Sequence, residues 1–471
     1  MSPKNQNSKT TRQANPTLVL LVMVVTSFLI SFAQSSVNLA IPIIGIEFGV
    51  STSMLGWISM GTLIPSLAFS VPVARIADLT GRKRIFVIGM IGYCVFSLGT
   101  ALATSFFHII ICRLMLGLSL AFMFSTSIAI LISAFPAEKR GRVLGFNTAS
   151  LYIGLSIGPV IGGFLTHNFG WRSSFILALI SGAVIGGFAI YGLENDKKRQ
   201  DNEEKRALDI PGMILFIIGS GSLAYGISSI ARGILPKILV IAGIIVLIIF
   251  VRVELKSNSP LLDIKLFKTN KTLWYSSLAA LFEFGSTASV VYMLSIYLQV
   301  VRNFDPQTSG LILLFQPIVI AIVSPIAGRL SDTKSPFKIA TGGLCISFCS
   351  LICFSLLGVD SPILLIILAL ILIGTGSGSF STPNQNAIMS SVSPSEYSVA
   401  SSLVLTMRSF GSVLGMSIIT IVTYVMLESY TLADAPPEMI SKAFKYCYIA
   451  FIGFCILGLV FARERKDKSK K

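Results

Sequence analysis

Three ionisable side chains interrupt long apolar stretches of the chain: Glu283, Arg113 and Arg408. Of the 21 acidic residues, only Glu283 lies well inside a predicted membrane span. A charge at the centre of the hydrocarbon layer costs at least about 2.5–3.5 kcal/mol, so such residues usually serve a function. We therefore expect Glu283 to bind and release a proton or to attract a cationic substrate. The alternative is a purely structural carboxylate that a partner neutralises.

The other polar candidates depend on depth and spacing. Arg113 could donate hydrogen bonds to carbonyls or act on a carboxylate during proton transfer, and Arg408 is a candidate substrate-binding residue by its depth alone. Gln34 and Asn38 stand one helical turn apart and could line a cavity as neutral hydrogen-bonding groups; they could equally hold two helices together. The histidines are too sparse for a metal site, and the sequence predicts neither a metal nor a cofactor.

The elements that carry these residues are membrane helices. The chain has 53% hydrophobic and 12% charged residues, with a mean hydropathy of +0.81, whereas a soluble domain has about 25% charged residues. A hydrocarbon layer takes about 20 apolar residues per helix. We predict an all-α polytopic membrane protein with about fourteen spans, at residues 17–45, 54–76, 85–104, 107–134, 142–165, 172–193, 210–231, 236–251, 273–300, 308–328, 338–358, 362–382, 398–427 and 444–462.

The basic residues predict the orientation of these spans. The terminal segments and alternate loops hold 29 of the 37 Lys and Arg residues, the opposite loops hold six, and two lie inside spans. Because basic loops stay inside, both termini are predicted to be cytoplasmic. The net charge of +16 then needs no nucleic-acid partner, since these loops lie beside anionic lipid.

A repeated motif divides the chain into two halves. The stretch Ala74–Arg84 includes Asp78, Gly81 and Arg82, and a shorter echo, Gly328–Asp332, follows the tenth span. Two six-helix halves with two additional central helices account for fourteen spans. The predicted segments are an N-terminal tail (1–16), an N-terminal bundle (17–193), a linker (194–209), two extra helices (210–251), an amphipathic linker (252–272), a C-terminal bundle (273–462) and a basic tail (463–471).

The fifth span carries a glycine face. Gly154, Gly158 and Gly162 recur every four residues, and Pro159 removes one backbone donor among them. Such a small-residue face lets another helix approach closely. It could seal a cavity while two bundles rock, or serve ordinary helix packing. Residues Gly411–Gly415 form a weaker counterpart in the second half.

These motifs together resemble the major facilitator superfamily, in its fourteen-helix drug/proton antiporter branch. The stretch Ala74–Arg84 resembles the signature after the second helix, and Arg113–Gly117 is similar to the fourth-helix arginine motif. Gly154–Gly163 resembles the antiporter motif of the fifth helix, and Trp171–Phe175 follows it in the expected order. Ser259–Phe267 resembles the stretch before the ninth helix of that branch.

The resemblance implies roles for the motif residues. Asp78, Gly81, Arg82 and Asp332 would form a gate between the bundles, which stabilises an outward-open state and breaks when the cavity opens inward. The alternative for this motif is plain topology, a short basic loop that is retained inside. The resemblance also favours a role for Arg113 in proton transfer. One position departs from the pattern, because Ala33 occupies the site where many members carry a first-helix aspartate. That departure concentrates proton coupling on Glu283.

The sequence thus predicts a proton-coupled exporter of hydrophobic or cationic drugs in the cell membrane, which works by alternating access and has protons and lipid as its other partners. The chain lacks a GxxxxGK[ST] motif, which argues against ATP as the energy source. An exporter of an endogenous metabolite, lipid or siderophore remains an alternative, as does a sensor or a membrane enzyme. We expect no enzymatic activity, since clustered acids or histidines at one leaflet are missing. Oligomeric state is left open.

Overall fold

A computed structural model gives the fold, and it is all-α and polytopic as predicted. Its described residues contain fourteen helices that are long and apolar enough to cross a membrane. The described residues are 16–135, 137–193, 209–257, 260–262, 264, 270–392, 397–428, 430–431 and 434–463. The predicted tails and most of the linker at 194–209 lie outside them.

The first eight spans are single helices. The N-terminal bundle consists of spans 1 to 6, and spans 7 and 8 form the extra pair. In chain order they are Pro16–Phe48, Thr52–Thr80, Arg82–Ala101, Phe106–Ser133, Ala137–Phe169, Arg172–Gly192, Ile210–Ser228 and Ile234–Lys256.

Two spans of the C-terminal bundle are interrupted. Span 9 consists of Lys271–Thr287, Val290–Ile296 and a π-helical turn at Tyr297–Val301, and span 10 of Pro306–Leu313 and Phe315–Thr333. Spans 11 to 14 are Pro336–Ser355, Ile363–Met389, Tyr397–Leu427 and Pro437–Arg463.

The break in span 9 follows Glu283 by one turn. The hydroxyls of Ser286 and Thr287 both donate hydrogen bonds to the Glu283 carbonyl, at 2.9 and 3.0 Å. Hydroxyls that bond to the preceding turn in this way compete with the helical ladder and bend helices. The helix that carries Glu283 therefore ends at Thr287, close to the carboxylate itself.

The two bundles repeat the same packing pattern. Spans 1 and 5, 2 and 4, and 3 and 6 pack together in the first bundle, and the equivalent pairs 9 and 13, 10 and 12, and 11 and 14 pack in the second. Between the bundles, span 2 packs on span 13 and span 5 on span 10, which are equivalent contacts. Spans 7 and 8 pack on each other, and span 7 also contacts spans 2 and 13. The extra pair thus lies at the seam between the bundles.

The described parts of the bundles are joined mainly at one end of the molecule, which we call the closed end. An apolar cluster there combines Val37 and Leu55 of the first bundle with Met293 and Met416 of the second. The other half of span 1, from Val19 to Ile30, instead packs in a cluster whose residues all belong to the first bundle.

Hydrogen bonds across the seam lie at the closed end as well. The Ser295 hydroxyl donates to the Asn38 carbonyl at 2.6 Å. The Thr52 amide donates to the Tyr430 carbonyl at 3.3 Å, and Ser51 forms an isolated antiparallel bridge with Thr431. The closed end therefore joins the bundles through backbone atoms as well as apolar side chains.

Candidate translocation site

Glu283 lies inside the C-terminal bundle and is 1% exposed. Its Oε1 accepts hydrogen bonds from the Ser377 hydroxyl of span 12 at 2.8 Å and from the Thr287 hydroxyl at 3.3 Å. Its Oε2 is buried and has no hydrogen-bond partner among the described residues. One oxygen is thus held in place, while the other is available to carry a proton.

Span 13 lies directly against the segment that carries this carboxylate. A Cβ at Gly411 would collide with the Leu281 carbonyl, and one at Gly415 with the Gly285 carbonyl. Only glycine permits this approach, which fixes the backbone on both sides of Glu283.

Arg408 comes from the same span 13, one turn before Gly411. Its guanidinium lies 4.2 Å from the centre of the Phe284 ring, a cation–π contact, and it interacts electrostatically with Glu283. The structure thus brings Arg408 and Glu283 into one neighbourhood. They share no hydrogen bond there, since the partners of the carboxylate are Ser377 and Thr287.

Gln34 and Asn38 lie on the face of span 1 that looks toward the C-terminal bundle. The Asn38 carbonyl accepts the bond from Ser295 in span 9. Gln34 precedes Asn38 by one turn on the same face, and it is exposed.

Arg113 lies in the other bundle and is 2% exposed. Its Nε donates to the Ile58 carbonyl at 2.8 Å, and its Nη2 donates to the Thr62 hydroxyl at 3.4 Å. Its described contacts do not include Glu283, so the two predicted proton-coupling residues are not brought together.

The motif after span 2 is held within the N-terminal bundle. Asp78 and Arg82 form an ion pair at 2.8 Å, and Arg82 also donates to the Ala129 carbonyl at 3.2 Å. Gly81 between them has φ = 114°, which glycine adopts without strain. Neither charge has a described bond to the C-terminal bundle in this conformation. Asp332 belongs to the last helical turns of span 10, but its side chain lies outside the described part of the molecule.

The glycines of the fifth-span motif pack span 5 on span 1. A Cβ at Gly154 would meet the Phe28 carbonyl, one at Gly158 the Ser35 hydroxyl, and one at Gly162 the backbone of Ser36. The predicted small-residue face is therefore a helix-packing surface.

The same segment also contacts the opposite bundle. A Cβ added to Gly310 of span 10 would collide with the Pro159 carbonyl, and one added to Gly163 with the Pro306 carbonyl. Pro159 thus lies at the closed end of the seam, where two backbones touch.

Sequence reasoning missed a second buried acid. The predicted limit of span 8 at residue 251 left Glu254 in a linker, but the helix continues to Lys256 and Glu254 is 2% exposed. Its Oε2 accepts a bond from the Leu262 amide at 3.1 Å. Glu254 belongs to the last turn of its helix, so it does not contradict the prediction that Glu283 lies well inside a span. The apolar residues on both sides of Glu254 could have indicated that the helix continues and that this acid is buried.

The hydroxyl partners of Glu283 were also missed. Ser377 belongs to the run Gly374–Gly378, whose glycines pack against spans 10 and 11. A serine between packing glycines carries no signal that distinguishes it from its neighbours.

Known proteins of similar sequence and fold are transporters. The chain is 27% identical over 456 residues to the riboflavin transporter RibZ of Clostridioides difficile, covering 96% of this chain and 98% of that protein. It is 28% identical to the multidrug resistance protein Stp of Mycobacterium tuberculosis, covering 85% of this chain and 75% of the relative. A bacterial homologue of the lysosomal transporter Spinster superposes with a TM-score of 0.67 at 15% identity, covering 97% of both chains.

A family model covers most of the chain. The model of the Major Facilitator Superfamily matches residues 23–416, which include the first bundle, the extra pair and most of the second bundle. With the repeated six-span packing and the transporter relatives, this match settles the family: the chain is a multi-pass membrane transporter and belongs to the major facilitator superfamily.

Proposed function

We propose that this transporter exports hydrophobic or cationic compounds in exchange for protons. The observation that carries the proposal is the half-satisfied carboxylate of Glu283, buried in the helix bundle with Oε2 unpaired. Arg408 lies near this carboxylate but shares no hydrogen bond with it, and burial in a low-dielectric site favours its protonated form.

The distribution of basic residues supports an orientation with both termini in the cytoplasm of a cell-membrane protein. In that orientation the closed end faces outward, and the conformation described here is inward-facing. The Asp78–Arg82 pair within one bundle then corresponds to a released gate. In the outward-facing state Asp78 would turn to the C-terminal bundle, with Asp332 in the equivalent position of the repeat.

In this cycle Glu283 takes up a proton when the outer side is open and loses it to the cytoplasm when the inner side is open. Substrate enters from the inner side between the bundles, where Gln34 and Asn38 present neutral hydrogen-bonding groups. Arg408 supplies a fixed positive charge next to Glu283, and Arg113 supplies one in the other bundle.

An endogenous metabolite is the second candidate substrate class. It is favoured by the printed name of RibZ, a riboflavin transporter that aligns along nearly its full length, whereas Stp is named for multidrug resistance. Parallel assays with a fluorescent lipophilic cation and with riboflavin separate the two, because a drug exporter moves the cation and a flavin carrier moves riboflavin.

The test replaces Glu283 by glutamine in proteoliposomes with an imposed pH gradient. We expect Glu283→Gln to lower gradient-driven movement of the cation at least about a hundredfold, because glutamine cannot exchange a proton. Counterflow of substrate without a gradient should persist, since it needs no net proton transfer. The matched control is Glu438→Gln, an exposed acid at the start of span 14. Unchanged gradient-driven transport in Glu283→Gln would overturn the proposal.

A further inference from the structure

A small cavity lies against Arg113 inside the N-terminal bundle. It has a volume of about 10 Å³, room for about one water molecule. Its wall is built from spans 1, 3, 4 and 6, and it includes the side chains of Ala33, Ser97 and Ser174 beside the arginine. All of the residues in its wall therefore belong to the N-terminal bundle.

The polar groups around this cavity are hydrogen-bond donors without acceptors. The hydroxyls of Ser97 and Ser174 are buried and have no hydrogen-bond partner among the described residues. The same is true of the Tyr93 hydroxyl, which lies within electrostatic range of Arg113. These side chains are at most 4% exposed. Two buried hydroxyls, those of Ser97 and Ser174, and the Arg113 side chain therefore line one cavity, where an acceptor would satisfy them.

Arg113 also has no carboxylate to balance its charge. Its two described hydrogen bonds go to a carbonyl and a hydroxyl, both neutral. Among the described side chains of this bundle, the acids are Glu47 and Asp78, at opposite ends of the helices. Glu47 is bound to Trp171 and Arg172, and Asp78 to Arg82. Removing one partner of a buried charge is costly because the remaining charge is uncompensated.

We propose that this cavity is a binding site for a single small anion of the size of chloride. The anion would accept hydrogen bonds from Ser97 and Ser174 and would neutralise Arg113. A monatomic anion needs less room than a carboxylate group, so it is the better match to so small a cavity. Ala33 contributes only a methyl group, and none of the other residues that line the cavity is acidic, so the proposed negative charge is that of the bound anion.

Such an anion would set the net charge of the N-terminal bundle independently of Glu283. The site lies in a different bundle from that carboxylate, so the inference stands whether or not Glu283 couples protons. It also predicts that the protein distinguishes chloride from larger anions at equal ionic strength.

Thermal unfolding of the purified full-length protein tests the site directly. The probes are sodium chloride, sodium bromide, sodium acetate and sodium gluconate at one ionic strength. We expect chloride and bromide to raise the Tm saturably by about 2 °C or more relative to gluconate. An equal Tm in all four salts would overturn the proposal. A rise with acetate but not chloride would also overturn it, and would point to the carboxylate of an organic molecule as the ligand.

Variants of the cavity wall provide the second arm. Ala33→Asp places a carboxylate in the cavity and should abolish the chloride response, whereas its uncharged match Ala33→Asn should retain it. Ser97→Ala should weaken the apparent chloride affinity about tenfold, the loss of one hydrogen bond to a charged group. An equal chloride response in Ala33→Asp and Ala33→Asn would exclude this cavity as the site. If the aspartate variant does not fold, the affinity loss in Ser97→Ala decides the question, and an unchanged affinity there overturns the assignment.

Discussion

At the scale of single residues, Asp305 shows how a charge at the closed end combines two tasks. It precedes Pro306 at the start of span 10, and its carboxylate accepts bonds from the Thr308 hydroxyl at 2.6 Å and the Thr308 amide at 2.9 Å. These bonds lower the pKa of Asp305 from its ordinary value. His167 of span 5 approaches it across the seam at 3.9 Å. The residue therefore caps a helix and faces the opposite bundle.

Replacement of Asp305 by alanine should destabilise the protein by about 1 kcal/mol at pH 7, the usual cost of a lost N-cap. An asparagine side chain would retain the cap oxygen, so Asp305→Asn is the matched control. Because the pKa of the folded carboxyl is lowered, its contribution is complete above the unfolded value near 3.9 and is lost as pH falls through the folded pKa. Thermal unfolding at several pH values measures this. An alanine variant as stable as the wild type at pH 7 would contradict the capping role.

The sequence indicated which charges are buried but not what surrounds them. Glu283, Arg113 and Arg408 stood out because a charge in an apolar stretch is costly and rare. Their partners, such as Ser377 and Thr62, did not, since serines and threonines occur throughout these spans and contact depends on how the helices are rotated toward one another. The sequence placed Arg113 and Glu283 in different bundles, but it did not indicate whether either arginine pairs with Glu283.

At the scale of helices, glycines determine which helix surfaces can pack closely together. In span 5, Gly154 and Gly158 pack against span 1. In span 13, Gly411 and Gly415 pack against span 9. These are equivalent pairs of the two halves. The second-half glycines, which looked weaker in sequence, thus make the same kind of contact as the first.

Gly158→Ala should lower stability by about 1–3 kcal/mol, because its Cβ overlaps the Ser35 hydroxyl. This loss should appear despite the helix propensity of alanine. The double variant Gly158→Ala/Ser35→Ala should recover part of it, since the colliding oxygen is removed. The control is Gly187→Ala, where an added Cβ meets nothing within 4 Å. Thermal unfolding measures all four proteins, and equal stability of Gly158→Ala and Gly187→Ala would contradict this packing.

Span number and order were predictable because about 20 apolar residues are needed to cross the bilayer. The ends of the spans were not. Span 8 continues to Lys256, since a helix can carry Arg252 and Glu254 in its last turns without breaking. The interruption of span 9 at Thr287 also escaped prediction, because hydroxyls that bend one helix are tolerated in another.

At the scale of the whole molecule, the described parts of the two halves form separate bundles that are joined mainly at one end. The Asp78–Arg82 pair remains inside its own bundle in this conformation. If Asp78 stabilises the opposite conformation across the seam, its removal must shift the balance toward the state described here.

Asp78→Asn should therefore slow transport and increase the population of the closed-end state, while substrate affinity changes less than about twofold. A disulfide between Ser51→Cys and Thr431→Cys reports that state, because the two residues form a β-bridge and bridged residues lie within disulfide range. The background should lack the seven native cysteines. We expect a higher disulfide yield with Asp78→Asn than with Glu438→Gln. Equal yields would exclude a gating role for Asp78.

The closed end is sealed where the Pro159 carbonyl meets Gly310 and the Pro306 carbonyl meets Gly163. Main-chain atoms make these contacts, so their strength does not depend on the chemical character of the side chains that line the space between the bundles. Residues along that space can therefore diverge to accept a new cargo while the conformational equilibrium of the transporter is preserved. Substitutions between the bundles can thus change which compound is carried, while the main-chain contacts at the closed end are kept.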